Sequence, residues 1–196
     1  MESSKPRTMN PDGKRSAIMA AAEILFTKKG FAGTTMAEIA RQADVAVGTL
    51  YRLFPDKLAL LVALHDAMEL SFIEAMQAGW ASANNDRERF GPMIDALMDE
   101  IATAGETMSL YMLTRDIVSS QGSLPGTKTI SLIKMQYAQG MSSDAFQLHD
   151  PATAAAIAYG MVEGAMRAWI IEPTDKRRTE ITLELKTLFN RAFLKP

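Results

Sequence analysis

The chain has 196 residues, 47% hydrophobic and 22% charged, and it contains no cysteine. That length can bury a sizeable core without covalent staples, while the lack of Cys excludes a disulfide framework, a thiolate metal site and a cysteine nucleophile. Lys and Arg number 21 against 23 Asp and Glu, a net charge of −2, which excludes a wholly basic nucleic-acid coat but not a local basic patch.

Charge is unevenly spread. Residues 1–60 hold nine Lys and Arg against six Asp and Glu, a net +3, and the remainder carries −5. A mildly basic head on an acidic body suits a protein that meets phosphate at one end only. Residues 1–13 are polar, rich in Ser and Pro and free of any apolar run, so they read as a flexible N-terminal arm and not as a secretory leader. No stretch approaches the ~18–20 consecutive apolar residues of a spanning helix; even Leu58 to Leu64 runs straight into His65 and Asp66. The expected location is cytoplasmic, with no membrane partner.

Apolar residues recur at three and four spacing almost throughout, and no run alternates for strand length, so the pattern predicts an all-α chain. A first helix spans about Lys14 to Lys29, with Ile18, Ala22, Leu25 and Phe26 on one stripe and Gly30 ending it. Thr35 and Glu38 form a Thr-x-x-Glu capping box that opens a short helix reaching Gln42. A break at Asp44 leads to a second short helix, Val47 to Phe54, which Pro55 ends. Asp56 can cap the next, a long amphipathic rod from Leu58 toward Trp80. After a polar break at Asn84 to Arg89, further helices are predicted at Phe90 to Ala104, Glu106 to Ser120, Thr127 to Gln139, Pro151 to Ile171 and Asp175 to Phe193.

Two short helices joined by a tight turn and braced by a longer one make a helix-turn-helix, whose second helix is narrow enough to enter a DNA major groove. In Val47 to Phe54 the small first turn of Val47, Gly48 and Thr49 allows close approach to base edges. Tyr51 and Arg52 extend polar tips, and Leu50 and Phe54 point inward.

The run Gly30-Phe31-x-x-Thr34-Thr35-Met36-x-x-Ile39-Ala40-x-x-Ala43-x-Val45-x-x-Gly48-Thr49-Leu50-Tyr51-x-x-Phe54-Pro55-x-Lys57-x-x-Leu60 closely resembles the N-terminal domain of the tetracycline-repressor (TetR) family. The resemblance covers the first third of the chain in detail. It implies phosphate contacts from Thr35, Tyr51 and Lys57, base- or groove-facing roles for Thr49 and Arg52, and backbone approach at Gly48. The sequence departs from the family pattern at Asp44, where Gly is usual, and at Ala46, where Ser or Thr commonly caps the recognition helix. A missing cap costs ~1 kcal/mol.

The resemblance divides the chain into the arm (1–13), a helix-turn-helix domain (14–60) and a C-terminal helical bundle for ligand binding and dimerisation (61–196). It also implies dimerisation through the last two helices. Small residues (Ala152, Ala155, Ala156, Ala158, Gly160, Gly164, Ala165) make the penultimate helix thin enough for close approach across a two-fold axis. Leu183, Leu185, Leu188, Phe189 and Phe193 give the last helix an apolar face. Candidate lining for an effector cavity is Met93, Leu97, Met108, Tyr111, Met112, Arg115, Tyr137, Met141, Met166 and Trp169, with Thr114 and Glu163 as further polar groups. The 14 Met suit a plastic pocket, although Met stripes at helical spacing also serve as plain core.

No cofactor or metal is expected: His65 and His149 stand apart, and no His-x-x-x-His, Gly-x-Ser-x-Gly or Gly-x-x-x-x-Gly-Lys pattern occurs. The function expected is therefore a ligand-responsive, non-enzymatic transcriptional regulator. It would bind a pseudo-palindromic double-stranded DNA operator as a homodimer, and a small apolar effector would release it. Two alternatives stay open: an all-α carrier or sensor of hydrophobic molecules without specific DNA binding, and a helical enzyme acting inside the cavity.

Overall fold

Asn10 stands immediately before a proline, and in the computed structural model, which describes residues 10–120, 122 and 124–196, this pair starts the first helix. Asn10 Oδ1 accepts from the Gly13 N–H at 2.7 Å. Pro11 fills the first turn, where its missing N–H costs nothing, and Asp12 lies at the positive helix end. Helix α1 is thus Pro11–Lys29, so residues 11–13 belong to it and not to a loose arm; residues 1–9 lie outside the described residues. The capping signal lies in polar residues ahead of the apolar stripe, which is why a reading by periodicity starts the helix too late.

Helices α2 (Met36–Gln42) and α3 (Val47–Leu53) follow. The turn between them explains Asp44. The N–H of Val45 reaches the Ala40 carbonyl at 3.0 Å and that of Asp44 reaches Arg41 at 3.3 Å, the paired bonds of a Schellman ending. That ending needs a left-handed residue, and Asp44 supplies it at φ 52°. Aspartate tolerates this region better than most side chains. Asp144, at φ 62°, repeats the device after α7 (Thr127–Ser142), with Ala145 N–H on Gly140 O at 3.1 Å.

Helix α4 (Lys57–Ser82) carries the Asp56 cap, whose Oδ1 accepts from the Ala59 N–H at 2.7 Å. The chain forms two units, one ending at His65 and the other beginning at Asp66, so the boundary falls inside α4. The first unit has its core in Ile18, Ala22, Phe26, Ile39, Leu50 and Phe54, all buried.

In the second unit a 3-10 turn at Asp86–Glu88 precedes α5 (Phe90–Ala104), α6 (Glu106–Ser119), α7, α8 (Pro151–Ile171) and α9 (Asp175–Phe193). Helix α7 packs along α8, and α9 packs against both α5 and α8. Two helical glycines set close approaches. A Cβ on Gly79 would fall 2.4 Å from the Pro92 carbonyl oxygen, and one on Gly140 would fall 2.3 Å from the Phe146 ring. Phe146 stacks on Phe90 at 4.7 Å and meets Trp80 edge-on at 6.0 Å. A short backbone strap closes this aromatic cluster: Phe146 bridges Leu194, Gln147 N–H donates to Phe193 O at 2.8 Å, and Lys195 N–H donates to Ala145 O at 3.1 Å. That bridge apart, the described residues contain no strand, and none of their helices is long and apolar enough to cross a membrane.

The last two helices correct one expectation. Leu185, Phe189 and Phe193 of α9 turn into their own bundle, as do Ala155, Ala158 and Ala165 of α8. Of the apolar residues on α9 only Leu183 and Leu188 are exposed, and on α8 Ala152, Ala156, Ile157, Gly160, Gly164 and Ile171 are exposed. Alternate stripes of one helix serve two faces, and counting apolar residues merges them.

If Asp44 is there for its backbone angle, Asp44→Gly raises the stability of the N-terminal unit by about 0.5–1 kcal/mol and Asp44→Ala lowers it by a similar amount. Urea unfolding of the full chain checks both signs.

Candidate nucleic-acid interface and ligand cavity

Helix α3 is anchored from beneath. Leu50 is fully buried and Phe54 nearly so, and the Arg15 guanidinium lies 4.4 Å over the Phe54 ring. With that face fixed, the opposite one is committed to solvent: Val47 is 45% and Tyr51 50% exposed, and Gly48 and Arg52 are exposed beside them. Thr49 is half-buried, its N–H donating to the Ala46 carbonyl at 2.8 Å. A Cβ on Gly48 would meet nothing within 4 Å, so packing inside the protomer does not require this glycine. Ala46 stands at the N-cap with no side-chain bond to the first turn.

Thr35 and Lys57 have internal tasks. Thr35 Oγ1 accepts from the Glu38 N–H at 3.3 Å and donates to Glu38 Oε2 at 2.9 Å, while the Thr35 N–H donates to the same oxygen at 2.9 Å. This completes the capping box at the start of α2. Lys29 Nζ pairs with Glu38 Oε1 at 2.7 Å. The Lys57 ammonium donates to the carbonyls of Phe31 at 2.5 Å, Thr34 at 2.8 Å and Ala32 at 3.4 Å, and lies 4.5 Å over the Phe31 ring. An ammonium has three donors, and all three are engaged. Lys57 thereby ties the start of α4 to the α1–α2 turn, and a phosphate could take its proton donors only at the expense of that tie.

Among the cavities of the second unit are two small ones, apart from a larger open groove of about 330 Å³ beside Asp95, Asp99, Arg178 and Lys186. One, of about 10 Å³, is lined by Phe72, Met76, Leu97, Tyr111, Thr129, Tyr159, Val162 and Met166. The other, of similar size, lies among Trp80, Phe90, Met93, Ile133, Gln136, Tyr137, Ala158, Phe189 and Phe193. Either has room for about one water. The structure thus brings Leu97, Tyr111 and Met166 to the first and Met93 and Tyr137 to the second. Met108 and Trp169 are buried in the core, and Met112 and Met141 pack at its edge. Arg115 pairs with Glu163 at 2.9 Å and donates to the Pro125 carbonyl at 3.3 Å. Thr114 donates to the Leu110 carbonyl at 2.8 Å.

A buried carboxylate behind the first cavity was not foreseen. Glu69 of α4 is buried, and its Oε1 accepts from both the N–H and the hydroxyl of Thr129, at 3.0 and 3.2 Å, capping α7 from another helix. Gly126, at φ +91°, lets the Tyr159 hydroxyl approach to where a Cβ would stand. Burial pushes the Tyr111 and Tyr159 phenols upward. Burial would also raise Glu163, but the hydrogen bond from Arg167 and the charge of Arg115 hold it below the usual carboxylate range. The spacing Glu69, Phe72, Met76 on one face of α4 was the available signal. Among the described residues no group of three or more His, Asp or Glu is arranged to hold a metal.

The outward face of α3 on its buried anchor defines a helix-turn-helix protein, and residues 18–64 match the model of bacterial regulatory proteins of the tetR family. Over 49 residues the chain is 49% identical to the HTH-type transcriptional repressor KstR of Rhodococcus jostii (strain RHA1), a match covering 25% of this chain and 23% of that repressor. To KstR of Mycobacterium tuberculosis (strain H37Rv) it is 47% identical over 49 residues, 25% of this chain and 22% of the other. The match therefore spans under a quarter of these relatives' length. Among solved structures, a tetR-family transcriptional regulator of Pectobacterium atrosepticum superposes with a TM-score of 0.74 at 24% identity, over 95% of this chain and 97% of that one. The fatty acid degradation regulator FadR of Bacillus halodurans superposes at 0.75 with 17% identity, over 94% and 97%. These likenesses establish the two-part helical fold.

The Lys29 and Thr35 bonds hold the Glu38 carboxyl down from 4.5 to about 2. Its folded value lies below its unfolded one, so its contribution is complete above pH 4.5 and is lost as the pH falls toward about 2. Glu38→Gln should lower the melting temperature of the N-terminal unit at neutral pH, and its deficit against wild type should shrink across that acid window, as read by melts at stepped pH.

Proposed function

We propose that this protein is a dimeric transcriptional repressor, acting in the cytoplasm, that reads a pseudo-palindromic operator and lets go when a small, largely apolar molecule enters its helical bundle. The observation that carries the reading is the Val47, Gly48, Tyr51 and Arg52 face, held outward by Leu50 and Phe54 within a tetR-family domain. Arg52 and Tyr51 supply donors for bases or phosphates, Thr49 borders the groove side, and Thr35 offers its threonyl edge to the backbone. Lys57 serves as scaffold first. Asp44 does not argue for a lost DNA function, since its turn demands a left-handed residue. Repression is supported by the KstR repressors, and an apolar effector by the FadR likeness together with the Met- and aromatic-lined cavities.

Dimerisation is supported by two glycines without an internal purpose. Gly160 and Gly164 lie one turn apart on α8, and a Cβ on either meets nothing within 4 Å, unlike those on Gly79 and Gly140. A helical glycine costs ~1 kcal/mol relative to Ala. Beside them Ile157 on α8 and Leu183 and Leu188 on α9 are exposed, the composition of a face that lets a second copy come close.

Two experiments test the reading. Selection from a random duplex pool at moderate salt should return a two-fold symmetric site; recovery of no sequence above background refutes sequence-specific regulation. On that site Gly48→Ala should raise thermal stability, by up to ~1 kcal/mol, while weakening binding about tenfold or more, because the methyl meets nothing in the protomer and stands in the path of the duplex. Separately, Gly164→Arg should convert the dimer to a folded monomer in sedimentation analysis. A Gly164→Arg protein that stays dimeric removes α8 from the interface.

A further inference from the structure

Helix α7 buries a stripe of Thr129, Leu132, Ile133, Gln136, Tyr137 and Gly140, and a stripe packed along α8 calls for apolar side chains. Gln136 breaks that pattern. Its side chain is long enough to reach solvent, yet the residue is 5% exposed. Its Oε1 is buried, and no donor among the described residues lies within hydrogen-bond distance of it. The other polar groups of the stripe are answered inside the protein: Thr129 donates to Glu69, and the Tyr137 hydroxyl donates to the Gln147 carbonyl at 2.9 Å. A buried acceptor with no donor carries its whole desolvation penalty, and native interiors seldom leave one so.

The open acceptor borders a space of matching size. Gln136 lines the second of the two small cavities, where Ala158 of α8 supplies a wall with almost no side chain and about 10 Å³ is left. Aromatic contacts close the rest, with Phe90 and Phe193 each 5.4 Å from the Phe189 ring. That volume suits one water and nothing bulkier. The same wall includes Tyr137, whose oxygen keeps acceptor capacity after its proton is given to Gln147, and Trp80, whose indole N–H is a donor. Purely apolar cavities of this kind stay dry, whereas polar ones hold a water that makes about three bonds. We infer that the cavity is a site for one internal water, which donates to Gln136 Oε1 and has Tyr137 of α7 and Trp80 of α4 as its further partners. A molecule entering here would need an O–H or N–H of its own, because displacing an ordered water with a group that cannot repeat its bonds loses affinity.

The site stands whether or not the bundle takes an effector, and two measurements on the full chain test it. A high-resolution crystal structure is expected to show one density peak inside the cavity, about 2.7–3.0 Å from Gln136 Oε1. An empty cavity, or an amide turned toward a donor of the protein, overturns the assignment. In solution, magnetic relaxation dispersion of the oxygen-17 nucleus counts waters held inside the fold. Gln136→Met keeps the length of the side chain and removes the acceptor, so the count should fall by one while the melting temperature stays level or drops. A count that does not fall places the water elsewhere and refutes the role of Gln136. A melting temperature raised by several degrees also refutes it, since that rise marks a dry acceptor whose burial penalty the thioether has relieved. The wild-type density decides the matter even where Gln136→Met fails to fold.

Discussion

The N-terminal unit is organised around a turn whose carbonyls converge on one ammonium. After Gly30 ends α1, the chain passes through Phe31 and Ala32 to Thr34 before α2 begins, and the carbonyls of all three converge on the Lys57 ammonium. Two of these carbonyls are partly buried, where an acceptor left without a donor is costly, so the turn, the start of α2 and the first turn of α4 are fixed together. Thr34 adds a second tie, its hydroxyl within 3.0 Å of the Gly30 carbonyl. Helix α3 lies between α2 and α4 in the chain, and with both neighbours held it has one way to bury Leu50 and Phe54. The face it shows to solvent follows from that burial.

The two units handle charge differently. In the first, the ion pair and capping box at Glu38 are exposed and serve to fix helix ends. In the second, the polar groups penetrate further: Arg115, Glu163 and Arg167 form a linked set, the tyrosines beside them stay protonated, and Glu69 reaches α7 from α4. Half-buried networks of this kind fix one arrangement of helices because each alternative leaves a charged or polar group stranded. Small cavities beside such a network are a different environment from the largely aromatic one around Phe90, where Trp80, Gln136 and Tyr137 bring the polar side-chain atoms.

Much of the fold was legible in the sequence, because helix limits are set by local chemistry. Phe90–Ala104 ends at Gly105, Pro151–Ile171 and Asp175–Phe193 begin behind the caps Asp150 and Thr174, and the Thr35–Glu38 box forms as its spacing requires. What was not legible depends on tertiary contact. Nothing local says that Leu185 faces inward and Leu183 outward, that Lys57 caps a turn some two dozen residues earlier, or that Glu69 caps a helix from outside it. The outward residues of α3 could be read because the inward ones, Leu50 and Phe54, bracket them at helical spacing. The cavity could not, since its walls come from α4, α5, α6, α7 and α8.

The strap between residues 145–147 and 193–195 turns α8 and α9 into a closed circuit: the backbone leaves the aromatic cluster at Gln147 and returns to it at Phe193. Closing a loop grows more costly only logarithmically with its length, about 0.6 kcal/mol per doubling. The exposed hinge between the two helices, around Glu172 to Thr174, is therefore where the chain can be lengthened at small entropic penalty, for a fluorophore tag or a grafted peptide. The clasp at the far end keeps both helices in register while the hinge grows.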